Sequence, residues 1–390
     1  MDTEEKINSI LTRGVEDIIE KDHLEAQLKS GLVLRVKLGF DPTGSNLHIG
    51  RAIVLRKLKA FQDLGHQVVF IVGDFTARIG DPSDKLEKRP MLSEEEIKEN
   101  IKNYKELVGK IIDVSKAEFL YNSEWLSNLS FKDTVELAES FSVQQMLSRR
   151  NFKDRFDKGE EISLREFLYP IMQGYDSVQV RADVELGGFD QLFNLKAGRT
   201  IQKYYGMEPQ NILTTKMLLG TDGRKMSTSW GNVINITDEP NDMYGKVMSI
   251  KDELLEDYFF LCTDLPKEEI EKVLETENPK DAKMRLAREI VSLYHSKEDA
   301  QKAEDGFVQT FSKGEIPKDV EEIKVKRGDS LSGILVGGGF IKSNSEFRRL
   351  VEGGGIHNME TEEKITDSSF VVEEPITLRI GKKRFVKVII

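Results

Sequence analysis

The stretch from Leu32 to Val72 restricts the fold more than any other part of the chain. Leu32 to Phe40 alternates apolar with other residues as a half-buried strand does, and Asp41-Pro42-Thr43-Gly44-Ser45 closes it with a turn. Ala52 to Leu64 then places Ile53, Val54, Leu55, Leu58, Phe61 and Leu64 on one helical face, Gly65 stops the helix, and Val68 to Val72 is a short apolar run suited to a strand buried on both sides. Strand, helix and strand in this order form a βαβ unit, which requires a parallel sheet. Open sheets of that kind bind ligands at the carboxyl ends of their strands. The polar turns fall at those ends: Asp41 to Ser45 after the first strand, Asp74-Phe75-Thr76 and Gly80-Asp81-Pro82-Ser83 after the second.

Further along, Val184 to Gln191 reads as a strand ending in a glycine turn, followed by a helix to about Tyr205, and Ile212 to Leu219 reads as another strand before the turn Asp222-Gly223. Phe167 to Val180 reads as a helix with Tyr169, Gln173 and Asp176 on one face, and Pro170 close enough to its start to be tolerated. Glu4 to Ser30 is predicted as one amphipathic helix, and Ser93 to Val108 as a capped helix. The alternating strand and helix signals from about Glu118 to Gly159 read as an insertion between two halves of the sheet. Around Glu239-Pro240 the pattern becomes helical, and after Ile316-Pro317 comes a glycine-rich, basic terminal segment. The predicted fold class is α/β: a Rossmann-type parallel-sheet domain over 1–235 with an insertion at about 115–160, a helical domain over 236–318, and a small α+β domain over 324–390.

Composition excludes several classes. The 390 residues are 38% hydrophobic and 32% charged, ordinary for a globular chain of two or three domains. No apolar run reaches membrane-span length, and the acidic start Met1-Asp2-Thr3-Glu4-Glu5 does not resemble a signal peptide, so a cytoplasmic protein is expected. The single cysteine, Cys262, lies in the apolar context Tyr258-Phe259-Phe260-Leu261 and reads as a core residue. A net charge of -11 argues against indiscriminate coating of nucleic acid. From Lys324 to Ile390, however, 12 basic face 9 acidic side chains, which points to a polyanion touched locally by the tail.

Neither a Gly-x-x-x-x-Gly-Lys phosphate loop nor a Gly-x-Gly-x-x-Gly turn is present. What stands at the start of the first helix is His48-Ile49-Gly50-Arg51, where free backbone N–H groups and a partial positive charge favour an anion. More than a hundred residues later comes Gly223-Arg224-Lys225-Met226-Ser227-Thr228-Ser229, with cations and hydroxyls suited to phosphate oxygens. Taken singly, the first is as readily a helix cap and the second a solvated loop. In this order, on an α/β body, they are more specific.

The two stretches resemble the His-Ile-Gly-His and Lys-Met-Ser-Lys-Ser signatures of class I aminoacyl-tRNA synthetases. Gly39-Phe40-Asp41-Pro42-Thr43, Gly73-Asp74-Phe75-Thr76, Tyr169-Pro170-Ile171-Met172-Gln173-Gly174-Tyr175-Asp176 and Gly187-Gly188-Phe189-Asp190-Gln191 are similar to blocks of the bacterial tyrosyl-tRNA synthetases. The segment from Ser330 to Gly355 resembles a small RNA-binding module shared with a ribosomal protein. The resemblance implies two steps: tyrosine attacks the α-phosphate of ATP, with Mg2+ accompanying the triphosphate and no metal held by the protein, and the tyrosyl group then passes to the terminal adenosine of tRNA(Tyr). It implies catalytic roles for His48, Arg51 and Lys225, and an ATP site of Asp41, Thr43, Gly50, Lys85, Arg89, Asp190, Met217, Leu218 and Ser227. For tyrosine it implies Asp81, Tyr169, Gln173, Asp176, Gln191 and Lys37, with Asp176 accepting the phenol hydroxyl. For RNA it implies the helical domain at the anticodon and Lys342, Arg348, Arg349, Lys382, Lys383 and Arg384 in the terminal unit. A homodimer joined through the inserted segment is expected. The alternatives are a tryptophanyl-tRNA synthetase, against which Asp176 argues, and a tRNA-binding relative with weakened catalysis. Arg51 and Thr228 keep the latter open, because they replace the second histidine and the second lysine of the signatures.

Overall fold

The computed structural model describes residues 2–44, 46–83, 92–312, 320–361, 363–381 and 384–390. It divides into two compact units, Met1–Ala300 and Gln301–Ile390. The helical stretch from Glu239 to Ala300 falls within the first unit.

The first unit opens with α1 (Thr3–Thr12), β1 (Val15–Ile19) and α2 (Lys21–Lys29) where one helix was expected. The spacing of Val15, Ile18 and Ile19 suits a helix, but these β-branched residues instead pair antiparallel with Thr215, Leu213 and Ile212 of a sheet strand. The βαβ unit forms as read: β2 (Arg35–Phe40), α3 (Ile49–Asp63) and β3 (Gln67–Val72). Val68 to Val72 are all fully buried, as a central parallel strand requires. After α4 (Thr76–Ile79), α5 (Glu94–Ile101) and α6 (Tyr104–Gly109) comes β4 (Ala117–Tyr121), which pairs parallel with β3 as the edge of the main sheet. The expected insertion thus begins after this strand, with α7 (Ser123–Leu126), α8 (Phe131–Ala138), α9 (Val143–Leu147) and α10 (Arg150–Asp157).

The second half supplies α11 (Leu164–Gln179), β5 (Val184–Gly188), α12 (Leu192–Tyr204) and β6 (Asn211–Thr215). The sheet order is β1-β6-β5-β2-β3-β4, with every pair but β1–β6 parallel. Successive strands run outward in one direction from β2 and in the other from β5. The switch point between them opens a crevice at the carboxyl ends. Helix α11 starts three residues before the expected Phe167, so Pro170 lies inside it. The helices α13 (Pro240–Met248), α14 (Leu255–Cys262), α15 (Lys267–Thr276), α16 (Pro279–Tyr294) and α17 (Lys297–Ser312) match the expected helical run. Cys262 is buried, and burial pushes its thiol up to about 12, so it stays an inert core group.

Helix α3 is anchored at its far end. The Lys57 ammonium is buried and donates to the carbonyls of Ser9, Ile10 and Arg13 at 3.1, 2.8 and 2.8 Å, closing the carboxyl end of α1. Arg56 donates to the Thr263 carbonyl and to Asp264, tying α3 to the end of α14.

The second unit has its own four-stranded sheet, built from β7 (Glu321–Lys324), β9 (Ile356–Asn358), β11 (Ile376–Ile380) and β12 (Arg384–Ile389) in the order β7-β12-β11-β9. A two-stranded ribbon, β8 (Asp329–Ser330) with β10 (Val371–Val372), lies beside it, and α18 (Leu331–Gly337) and α19 (Asn344–Glu352) complete the expected α+β unit. Leu331, Leu335, Phe347, Val351, Leu378 and Val386 fill its core. Among the described residues no helix is long and apolar enough to cross a membrane. Because Lys57 satisfies three carbonyls at once, Lys57→Met is expected to destabilise the first unit by on the order of 2 kcal/mol and to expose the chain near Arg13 to proteolysis, both readable by thermal unfolding and limited digestion.

Candidate active site

The two signature stretches meet through backbone. Leu47, His48 and Ile49 lie alongside Ile234, Asn235 and Ile236: the Ile49 N–H donates to the Ile234 carbonyl and the Ile236 N–H to the Leu47 carbonyl, both at 2.9 Å. The segment that follows the lysine loop is therefore joined to the start of α3. Side chains complete the junction, because a Cβ on Gly50 would stand 3.1 Å from Met226 Sδ and from His48 Nδ1. Only a residue without a side chain lets the methionine of one signature lie over the helix start of the other.

His48 is the N-cap of α3, and its Nδ1 accepts the Arg51 backbone N–H at 3.3 Å. Burial, together with the nearby Arg51 charge, pushes the imidazole down to about 3, so it is neutral with its hydrogen on Nε2. It can donate to a phosphate oxygen. Arg51 supplies permanent charge at the same helix end: its guanidinium donates to Thr43 Oγ1 at 3.0 Å and lies over the Phe40 ring.

The lysine loop is a tight hairpin. Leu219 pairs with Lys225, and the Gly220 N–H donates to the Arg224 carbonyl at 2.7 Å. The buried Asn232 side chain holds it from below, donating to Asp222 and the Lys225 carbonyl and accepting the Ser227 N–H. Tyr258 of α14 donates to the Leu219 carbonyl at 2.8 Å, fixing the hairpin base to the helical block. The Lys225 ammonium reaches to 3.6 Å from Asp190, which sits in the turn after β5 on the same side of the switch point as the hairpin. Leu218 is buried and Met217 half exposed where the chain leaves β6.

A second cluster lines the face of α11. The Tyr169 hydroxyl donates to Asp41 Oδ2 at 2.9 Å, and Thr76 Oγ1 donates to Asp41 Oδ1 at 2.6 Å. A Cβ on Gly73 would fall 2.1 Å from that oxygen, so Gly73 makes room for the aspartate. Burial and Asp41 hold the Tyr169 phenol well above its usual range, which keeps it a donor. Asn122 Nδ2 bridges Thr76 Oγ1 at 3.0 Å and Asp176 Oδ2 at 3.3 Å, and Trp125 Nε1 donates to Asp176 Oδ1 at 2.7 Å. One hydrogen-bonded line thus runs from Tyr169 to Asp176. Asp176 is 3% exposed, and burial pushes its carboxyl up to about 6, against the opposing Lys37 charge and the two donors. Asp81 accepts from Gln191 Nε2 at 2.6 Å and from Asn194 Nδ2 at 3.2 Å, which brings the ends of β3 and β5 together.

The profile of the family described as tRNA synthetases class I (W and Y) matches residues 29–312. The chain belongs to this family. It is 48% identical over 396 residues to the tyrosine–tRNA ligase of Thermotoga maritima, covering 100% of this chain and 98% of that one. To the tyrosine–tRNA ligase of Carboxydothermus hydrogenoformans it is 47% identical over 400 residues, covering 97% of each. Among solved structures, a C-terminally truncated mitochondrial tyrosyl-tRNA synthetase of Coccidioides posadasii superposes with a TM-score of 0.63 at 25% identity, over 77% of this chain and 91% of that one. The class I Rossmann-type fold is the one these relatives share.

In this class I synthetase the structure groups the expected residues unequally. His48, Gly50, Arg51 and Thr43 form one set, with Lys225 and Asp190 across the switch point, while Asp41 and Tyr169 join Asp176 through the hydrogen-bonded line. Lys37 does not face that line with a spare donor: its three hydrogens go to the Gln173 carbonyl, Ser177 Oγ and Glu185 Oε1, and its side chain is fully buried. Lys85, Arg89, Lys382 and Lys383 lie outside the described residues. Lys342, Arg348, Arg349 and Arg384 are exposed in the second unit. Sequence reasoning missed Thr76, Asn122, Trp125, Glu185 and Asn232. Thr76 lay in a quoted block, and Trp125 is one of only 2 tryptophans; the others carry no local signal.

Two outcomes follow from the charge states. With His48 held at about 3, the pH profile of adenylate formation is expected to show no rise from this imidazole between pH 5 and 8, and a histidine titration by NMR should leave one ring neutral throughout. Asp176 has its carboxyl raised in the folded state from 3.8 to about 6, so the folded chain keeps a proton that the unfolded chain releases, and stability is lost as pH rises through that window. Between pH 4 and pH 7 the stability of Asp176→Asn relative to the native chain is expected to move in the variant's favour by about 2 kcal/mol, measured by paired unfolding curves.

Proposed function

We propose that the chain is a tyrosine–tRNA ligase that makes tyrosyl-adenylate from tyrosine and ATP and transfers the tyrosyl group to the terminal adenosine of tRNA(Tyr). The observation that carries the choice of tyrosine is Asp176, a buried carboxylate with two neutral donors and capacity left for a phenol O–H. Phenylalanine would leave that capacity unfilled. The full-length likeness to relatives named tyrosine–tRNA ligases supports the same choice over tryptophan.

The first step needs no side-chain nucleophile. The tyrosine carboxylate attacks the α-phosphorus of ATP and pyrophosphate leaves, so catalysis consists of placing the reactants and stabilising charge that grows on the phosphate oxygens. In our assignment the α3 amino terminus, the neutral His48 N–H, Arg51 and Lys225 do the latter, with Ser227 beside them and Lys85 and Arg89 as further cations. Asp190 takes the ribose, Gly50 faces the adenine, and Met217 and Leu218 line it through backbone. Asp81, Gln191, Tyr169 and Gln173 surround the amino and carboxylate groups of tyrosine. Mg2+ belongs to the triphosphate, as suits a small hard cation that keeps most of its waters.

The helices after Glu239 are assigned to the anticodon region, and Lys342, Arg348, Arg349 and Arg384 to RNA phosphates in a cytoplasmic protein. A homodimer through the inserted helices is supported by their exposed apolar side chains Phe131, Val135 and Val143 on α8 and α9. Light scattering at micromolar concentration is expected to give twice the chain mass, and Phe131→Glu with Val135→Glu the single mass. ATP–pyrophosphate exchange is expected with tyrosine and not with tryptophan. In Asp176→Asn the preference for tyrosine over phenylalanine should fall by more than about tenfold, and exchange supported by tryptophan alone would contradict the assignment.

A further inference from the structure

We propose that the buried ion pair between Lys37 and Glu185 is the positioning device of the amino-acid pocket, fixing the Gln173 and Asp176 face of α11 against the two strands of the switch point. This rests on the reading above that Gln173 and Asp176 contact the substrate tyrosine. Lys37 and Glu185 are register partners on β2 and β5, the strands that flank the crevice, and their ammonium and carboxylate are 2.8 Å apart with side chains 0% and 1% exposed. Every polar position of the pair is filled. Lys37 donates to the Gln173 carbonyl at 2.9 Å, to Ser177 Oγ at 2.8 Å and to Glu185 Oε1. Glu185 Oε1 also accepts from Gln173 Nε2 at 3.2 Å, while Oε2 accepts from Ser177 Oγ at 3.1 Å and from Gln210 Nε2. Helix α12 closes the site from the side, since a Cβ on Gly198 would stand 3.0 Å from Glu185 Oε2 and 2.9 Å from Ser177 Oγ.

A closed pair has nothing to offer a ligand, so its use must lie in what it holds. It grips Gln173 twice, once by the side chain and once by the carbonyl, and Ser177 one turn later, and Asp176 lies between them on the same helix. Two apolar side chains could fill the same volume without the cost of removing two charges from water. They could not orient the Gln173 amide. Lys37 is also the largest favourable charge on the Asp176 carboxylate, opposing the burial that would neutralise it. Lys37 and Glu185 thus act through Gln173 and Asp176 and do not touch the substrate.

The test is pyrophosphate exchange by the full chain carrying Lys37→Met and Glu185→Met together. The KM for tyrosine is expected to rise by about tenfold or more and tyrosine over phenylalanine selectivity to fall similarly, while the KM for ATP stays within about twofold. Unchanged tyrosine parameters in the folded variant would overturn the proposal, and so would equal losses for tyrosine and ATP, which mark a general structural defect. If the double variant does not fold, Glu185→Gln, of nearly the same shape, should raise the tyrosine KM alone, and no change there overturns the proposal. Asp176→Asn run alongside separates the two levels. Undiminished selectivity in Asp176→Asn removes the pocket reading and the proposal with it, whereas lost selectivity there beside an unaffected double variant removes only the positioning role.

Discussion

Two backbone hydrogen bonds, from Ile49 to Ile234 and from Ile236 to Leu47, hold together stretches that are nearly two hundred residues apart in sequence, and the site exists only because they do. Neither stretch is rigid in isolation: a helix start has unfilled N–H groups, and a basic hairpin has charges that repel. Pairing them sets His48 and Arg51 on one side of the switch point and the lysine hairpin over Gly50. The surrounding contacts serve that placement. Lys57 and Arg56 anchor the far half of α3, Asn232 supports the hairpin, and Tyr258 fixes its base to α14.

In the proposed assignment, chemistry and selection are divided between two clusters with opposite electrostatics. On the phosphate side, burial and Arg51 keep His48 neutral, so the charge comes from a guanidinium and a lysine. On the amino-acid side, a carboxylate is buried where burial disfavours its charge. The cost of keeping Asp176 charged is a loss of stability that buys selectivity, as active sites commonly do. Lys37 and Glu185 bear on that cost from the layer behind, one favouring the Asp176 charge and the other opposing it.

Local pattern made the β2–α3–β3 unit legible, because each element there is long enough to show its own period and is bounded by its own turn. The same pattern misled at Val15 to Ile19, whose spacing fits a helix and whose partner strand lies far along the chain. It also gave the strand signal of β4 to the insertion, although these five residues form the edge of the main sheet. The candidate site was legible mainly through resemblance, which named His48, Lys225, Asp81, Gln173 and Asp176 but not what holds them. Asn122 and Trp125 follow the end of β4 and reach Asp176 across more than fifty positions, a contact that no local spacing encodes. Lys37 shows the limit most plainly, since nothing in its strand tells that Glu185 will stand beside it and consume its charge.

In the proposed ligase, one crevice at the β2–β5 switch point holds both halves of the reaction, with phosphate at the signature pair and the phenol at Asp176. A crystal structure of the full chain with a non-hydrolysable tyrosyl-adenylate analogue tests it most directly. The phenol oxygen is expected within hydrogen-bonding distance of Asp176 and the phosphate between the start of α3 and the lysine hairpin. An analogue bound with its ring away from Asp176, or its phosphate away from both signatures, would contradict it.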